Sequence, residues 1–205
     1  MIRLHTWTTP NGRKISVALE ELGLPYEVHP VNLGANEQMT PAFLALNPNH
    51  KIPVLEDDGL VIWESGAILL HLGEKYGVGK ILPADPKGRI AAIQYAFFQA
   101  GGIGPNLGRL FGQIRKPEAE RNAEMVTIFR EEVARLLGVL ERVLDDGRPY
   151  LAGDYSIGDI MHYPWLAPMR SLGARELADR PKVCAWLDRI GSRPAVQRGM
   201  AIPKV

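Results

Sequence analysis

The sequence predicts a mixed α/β unit followed by an all-helical one, and three observations carry that reading. The first 77 of 205 residues run in the order strand, helix, strand, helix, strand, strand, helix. A proline interrupts the third strand-like run, Lys51-Ile52-Pro53-Val54-Leu55, and a turn rich in Asp and Gly leads from it to the fourth. Beyond residue 87 nothing reads as a strand, whereas several stretches repeat apolar residues at helical spacing.

Taken in order, Met1 to Trp7 alternates apolar and polar residues around Ile2 and Leu4, as a half-buried strand does. Thr8-Thr9-Pro10-Asn11-Gly12 reads as a loop, and Lys14 to Leu22 as a helix with Ile15, Val17, Ala18, Leu19 and Leu22 on its apolar face. Gly23 closes that helix, and Tyr26 to Val31 reads as a second strand, giving a βαβ unit with a right-handed crossover. Pro41 to Leu46 is a short helix. The strands around Pro53 and over Val61–Trp63 follow, and Ser65 to Tyr76 is an amphipathic helix. The order βαβ, α, ββα is that of a thioredoxin-like fold.

Between Gly77 and Lys87 the chain turns to Gly, Pro and polar residues, which predicts a linker over 78–87 between domains at 1–77 and 88–205. Helices are predicted over Arg89–Ala100, Met125–Leu144, Ser156–Ser171 and Lys182–Ile190. Ser156 and Asp159 have the spacing of a capping box, and Tyr155 and Ile160 that of the accompanying hydrophobic staple.

Composition narrows the function classes. Apolar residues make up 46%, enough for a sizeable core, and a formal net charge of +1 with interspersed signs gives no electrostatic reason to expect nucleic acid or a membrane surface. No run is apolar for long enough to span a bilayer, and the N-terminal stretch lacks the apolar core of a secretory signal, so a soluble cytoplasmic protein is expected. The single cysteine, Cys184, rules out an intrachain disulfide and falls in a helical pattern as a buried, inert thiol. His5, His29, His50, His71 and His162 show no metal-binding spacing, so no metal is expected.

The segment Asn49–Gly77 is the most specific. Pro53 is a poor strand residue, and its place near a strand start points to a special backbone feature such as a cis bond. That geometry turns the N–H and C=O of Ile52 away from the sheet, open to an extended ligand. Glu64 and Ser65 fall at a helix N-terminus, where unpaired N–H groups and the dipole attract an anion. Taken separately, Pro53 reads as an edge strand and Glu64-Ser65 as a cap. Together they suit a strand-like ligand carrying a carboxylate.

These residues resemble the second half of the thioredoxin-like domain of the glutathione transferases, and the Ser156–Asp159 box and closing Arg189–Arg198 stretch extend the resemblance over nearly the whole chain. The resemblance implies that Ile52, before a cis Pro53, pairs with the cysteinyl backbone of glutathione, and that Glu64 and Ser65 hold its γ-glutamyl end. It places the thiol-activating group in Trp7-Thr8-Thr9-Pro10-Asn11-Gly12, where neither the Tyr nor the Cys of several classes occurs. The run Thr9-Pro10-Asn11-Gly12 is similar to the bacterial nu-class enzymes and their fungal Ure2-like relatives, which implies Thr9 and Asn11 as partners of the sulfur. Alignment with the serine classes makes Thr8 the competing hydroxyl, and on the residues alone the run is a turn.

Gln38, Asn47-Pro48-Asn49, Lys51 and the glycine-rich Gln99–Gly108 also match the nu-class pattern. That match makes Gln38 and Lys51 candidates for the ligand carboxylates and the glycine-rich run a lining for a second glutathione. The basic residue that the class extends to the partner subunit has no clean counterpart. Ile128 occupies the nearest place, with Arg130 and Arg135 close by. The expected function is glutathione conjugation, glutathione-dependent disulfide reduction, or both, in a homodimer acting on a small electrophilic or disulfide substrate. The alternatives are a non-catalytic glutathione-binding regulator, and a glutathione-dependent isomerase or dehalogenase using pocket residues such as Phe98, Asn106, Phe111 and Trp165.

Overall fold

Ile2, Leu4 and Thr6 are buried while Arg3 is exposed, so the alternation read from the sequence becomes strand β1 (Ile2–Thr6) in the computed structural model, which describes residues 1–205. β2 (Tyr26–Pro30) pairs with it in parallel; β3 (Val54–Asp57) and β4 (Leu60–Trp63) complete a sheet of order β2-β1-β3-β4 with antiparallel pairing. Leu4 lies opposite Leu55 and His5 opposite Val54, so Leu4 and Leu55 share one face and Val54 takes the other.

Helices α1 (Pro10–Leu22) and α3 (Ser65–Tyr76) supply Ile15, Leu19, Ile68, Leu69 and Leu72, all at 0% exposure like Leu4 and Leu55. The short α2 (Pro41–Leu46) brings Phe43 into a second cluster with Val31, Ile52 and Val54, against which Trp7, Leu33 and Leu46 pack.

α1 starts earlier than expected. The stretch read as a loop forms its first turn: Thr9 is the N-cap, Pro10 occupies the first helical position, and Asn11 and Gly12 follow. Gly12 is needed for contact rather than for a turn, because a Cβ there would lie 2.3 Å from Thr6 Oγ1 and 2.6 Å from the Trp7 carbonyl oxygen. β3 likewise begins at Val54, so Ile52 and Pro53 precede it. In the segment expected as a linker, Ile81 and Leu82 are buried.

The chain divides into two units, Met1–Ala84 with Gly191–Val205, and Asp85–Ile190. The second contains α4 (Pro86–Phe98), a π-helical turn over Gln99–Ile103, α5 (Gly104–Ile114), α6 (Ala123–Val143), α7 (Ile157–Ser171) and α8 (Pro181–Gly191). α5 was not expected as a helix. Asp159 accepts hydrogen bonds from the N–H groups of Leu151 and Ser156, from Ser156 Oγ and from Trp186 Nε1, completing the capping box and tying α7 to α8. Burial, opposed by those bonds, raises its carboxyl to about 6. α9 (Pro194–Met200) packs on α1 in the first unit.

Candidate functional site

Strand register determines which chain segments meet. Val54 lies opposite His5 on β1 and Trp63 on β4. The stretch leaving β1 (Trp7–Thr9), the one entering β3 (Ile52-Pro53) and the one joining β4 to α3 (Glu64-Ser65) therefore emerge at one end of the sheet.

The Ile52–Pro53 bond is cis. The Ile52 side chain is 8% exposed within the Phe43 cluster, so the core anchors it, while its N–H and C=O lie outside the ladder that starts at Val54. Asn47, at 2% exposure, holds the preceding loop: its Nδ2 donates to the Lys51 carbonyl at 2.7 Å and its Oδ1 accepts from the Asn49 N–H at 2.9 Å. An Asn at that corner bonds both sides of the turn through one planar amide.

Glu64 has φ 73° and ψ 115°, an unusual backbone for a residue with a side chain, and it precedes α3 without capping it through its side chain. The reading of Glu64-Ser65 as an ordinary cap is thereby overturned: the first N–H groups of α3 receive no side-chain acceptor. Ser65 follows as the first helical residue, 8% exposed. Beneath it lies Lys14, 2% exposed, whose Nζ donates to Ser65 Oγ at 3.3 Å. Burial lowers the Lys14 ammonium to about 7, with the Glu64 charge acting in the opposite direction.

Thr9 Oγ1 accepts from the Gly12 N–H at 3.3 Å, which leaves its O–H to donate elsewhere. Thr8 is exposed, and Asn11 is half-buried in the first turn of α1. The other two candidates lie in neighbouring loops. Gln38 is half-buried on the 3-10 turn Glu37–Met39, with a buried Oε1 that has no hydrogen-bond partner, and Lys51 is exposed.

Sequence reasoning missed Lys14. Its signal was a cation within the buried run of α1, one residue before Ile15. It also placed Cys184 in the core; the thiol is half-buried and donates to the Leu177 carbonyl at 3.6 Å. A cavity of about 410 Å³ lies beside Arg130 and Glu176, and one of about 390 Å³ lies beside His5, Phe43 and Glu37, next to the turn that carries Gln38. No cluster of His, Cys, Asp and Glu is arranged to hold a metal ion.

Residues 1–74 match the family model described as the glutathione S-transferase N-terminal domain, and residues 102–194 match that of the C-terminal domain. The chain belongs to the glutathione transferase family. Among its relatives in that family is the disulfide-bond oxidoreductase YfcG of Escherichia coli K12, 38% identical, the alignment covering 98% of this chain and 94% of that protein. A glutathione transferase structure from Burkholderia graminis, described with two glutathione molecules per subunit, is 42% identical with a TM-score of 0.89, covering 99% of this chain and 88% of the other. One from Pseudomonas putida, described with one glutathione disulfide per subunit, is 38% identical with a TM-score of 0.91, covering 98% and 91%. The transferase fold of this chain is thus the one its sequence predicted.

Proposed function

We propose that the protein is a glutathione transferase that binds glutathione across the end of its sheet and directs the thiol chiefly at disulfides. One observation carries the binding reading: an uncapped α3 N-terminus stands beside the Ile52 backbone outside the sheet ladder. Ile52 pairs with the cysteinyl backbone as an added strand would, presented by the cis Pro53. Glu64 and Ser65 receive the γ-glutamyl amine and carboxylate, and Lys51 and Gln38 face the remaining polar groups.

Thr9 donates its O–H to the sulfur with Asn11 beside it, and Thr8 remains the competing donor. A free thiol ionises near pH 8.5, so donation to the thiolate and a nearby helix N-terminus increase the reactive fraction at neutral pH. Attack on a disulfide sulfur forms a glutathionyl mixed disulfide and releases one substrate thiolate. A second glutathione thiolate then attacks the glutathionyl sulfur, giving glutathione disulfide and the second substrate thiol. Cys184 takes no part. The disulfide preference is supported by the description of YfcG and by the glutathione disulfide in the Pseudomonas structure.

The working state is a homodimer in the cytoplasm. Leu60, Val61 and Trp63 are exposed on the edge strand β4, an arrangement that proteins ordinarily cover. The domains proposed along the chain are 1–77 and 88–205, with the closing stretch Gly191–Val205 of the latter packed into the first compact unit. The test is a side-by-side assay with glutathione, using 2-hydroxyethyl disulfide in one cell and a model aryl halide in the other. Faster disulfide reduction is expected. Faster aryl conjugation overturns the preference, and glutathione binding with neither activity leaves a binding module.

A further inference from the structure

Lys14 is a buried ammonium in a helix whose buried positions from Ile15 to Leu19 are apolar apart from Ser16, which bonds the Gly199 carbonyl. Burying a cation costs free energy that an apolar side chain of equal length avoids, so the position calls for a role beyond packing. Its contact supplies one. Ser65 Oγ has one proton and two lone pairs, whereas an ammonium only donates. The bond from Lys14 Nζ at 3.3 Å occupies a lone pair of Ser65 and leaves the Ser65 proton for another acceptor.

We propose that Lys14 is a positioning residue of the γ-glutamyl subsite: its charged form turns the Ser65 O–H toward the ligand carboxylate and makes glutathione affinity depend on a proton. The inference rests on the assignment of the γ-glutamyl end to Glu64 and Ser65. A neutral Lys14 amine has a lone pair of its own and accepts a hydrogen bond from the Ser65 O–H, which keeps its proton, so that Ser65 presents a lone pair to the carboxylate and repels it.

Lys14 is the buried cation of this subsite, and Glu64 is the charge that acts on it. Its ammonium is lowered to about 7, burial being the main cause and Glu64 the opposing charge. α1 packs against α9, α3 and β1. On the α9 side Arg193 and Arg198 are held by Glu21 and Glu20. On β1, Arg3 and His5 bond Glu27 and Glu56; on α3, His71 and Lys75 bond Asp57, and Glu74 is exposed. Arrival of a carboxylate favours the charged amine, so binding takes up a proton and tightens as pH falls through 7.

The measurement is the dissociation constant of S-hexylglutathione, whose sulfur does not titrate, between pH 6 and pH 8. An analogue with 4-aminobutyryl in place of the γ-glutamyl residue, lacking that carboxylate, is measured alongside. Wild-type affinity for S-hexylglutathione should fall on the order of tenfold across the range, equivalent to about 1.4 kcal/mol, and affinity for the analogue should stay level. Lys14→Met should bind weakly with no pH dependence, and Lys14→Arg tightly with none. In turnover, KM for glutathione should move and kcat at saturation hold. A level wild-type profile, an equal slope for the analogue, or a slope kept in Lys14→Met overturns the proposal; the first two need no substitution. An unchanged constant in Ser65→Ala at pH 6 instead removes the subsite assignment itself.

Discussion

Thr9 shows how one hydroxyl can serve both the fold and the proposed chemistry. Its oxygen accepts from the Gly12 N–H as the cap of α1, and its proton is left for the glutathione sulfur. Thr9→Ala should therefore cost about 1 kcal/mol of stability through the lost cap and also raise the pKa of the bound thiol. Thr8→Ala should do neither, since Thr8 is exposed and caps nothing. Titrating the ultraviolet absorbance of the bound thiolate in both variants checks this, and a larger shift from Thr8→Ala transfers the role. At Lys14 the unfolded chain keeps the proton to the ordinary lysine value, whereas the folded chain releases it near 7. Stability should consequently rise as pH increases from 7 toward 10, and Lys14→Met should abolish that rise and be the more stable protein at pH 6. Denaturant unfolding at several pH values reads both. The cis Ile52–Pro53 bond was legible because proline conflicts with ordinary strand preference. Lys14 was not, because its meaning depends on the α3 N-terminus lying against α1, and that contact spans 51 residues of sequence.

The β3–α3 pair shows the same dependence at the scale of elements. Asp57 closes β3 with its side chain 1% exposed and accepts from His71, Lys75 and Tyr76 on α3. Burial raises its carboxyl, and the hydrogen bonds outweigh burial to leave it below the ordinary value. A depressed carboxyl contributes stability above the unfolded pKa and loses it as pH falls through the folded one. Asp57→Asn should thus destabilise by about 1–3 kcal/mol at pH 7, with the gap to wild type closing below pH 4, measured by denaturant unfolding. Strand and helix order over residues 1–77 was readable from periodicity and turn residues together. The early start of α1 was concealed by Asn11-Gly12, a pair that signals a turn locally but that here lets the helix approach Thr6 and Trp7. α5 was concealed by Gly104, Gly108 and Gly112, which lower helix propensity over its length. Close packing accounts for the first, where a Cβ would lie 2.7 Å from Gln99 Nε2 and 3.2 Å from the Gln99 carbonyl oxygen, contacts with no signature in the chain.

On the scale of the whole molecule, the closing segment belongs to the first unit. Arg193 donates to Glu21 through two nitrogens at 2.7 and 2.8 Å, Arg198 bonds Glu20, and Ser16 Oγ donates to the Gly199 carbonyl at 2.7 Å. A Cβ on Gly199 would stand 2.5 Å from Val17 Cα, so α9 lies directly against the α1 backbone. Gly199→Ala should lower the melting temperature of the protein by several degrees, since neither backbone can yield without separating the helices. An unchanged melting temperature would show that α9 contributes little. The capping box was visible in the sequence and the closing stretch through its family resemblance, but no local pattern indicates that the last helix docks on the first. Ser16 and Gly199 are 183 residues apart. During synthesis the first sheet therefore leaves the ribosome with one side of α1 uncovered, and it stays so while the second unit is being made. The unit that emerges first is the one completed last, which extends the interval in which nascent chains expose that surface to chaperones and to one another.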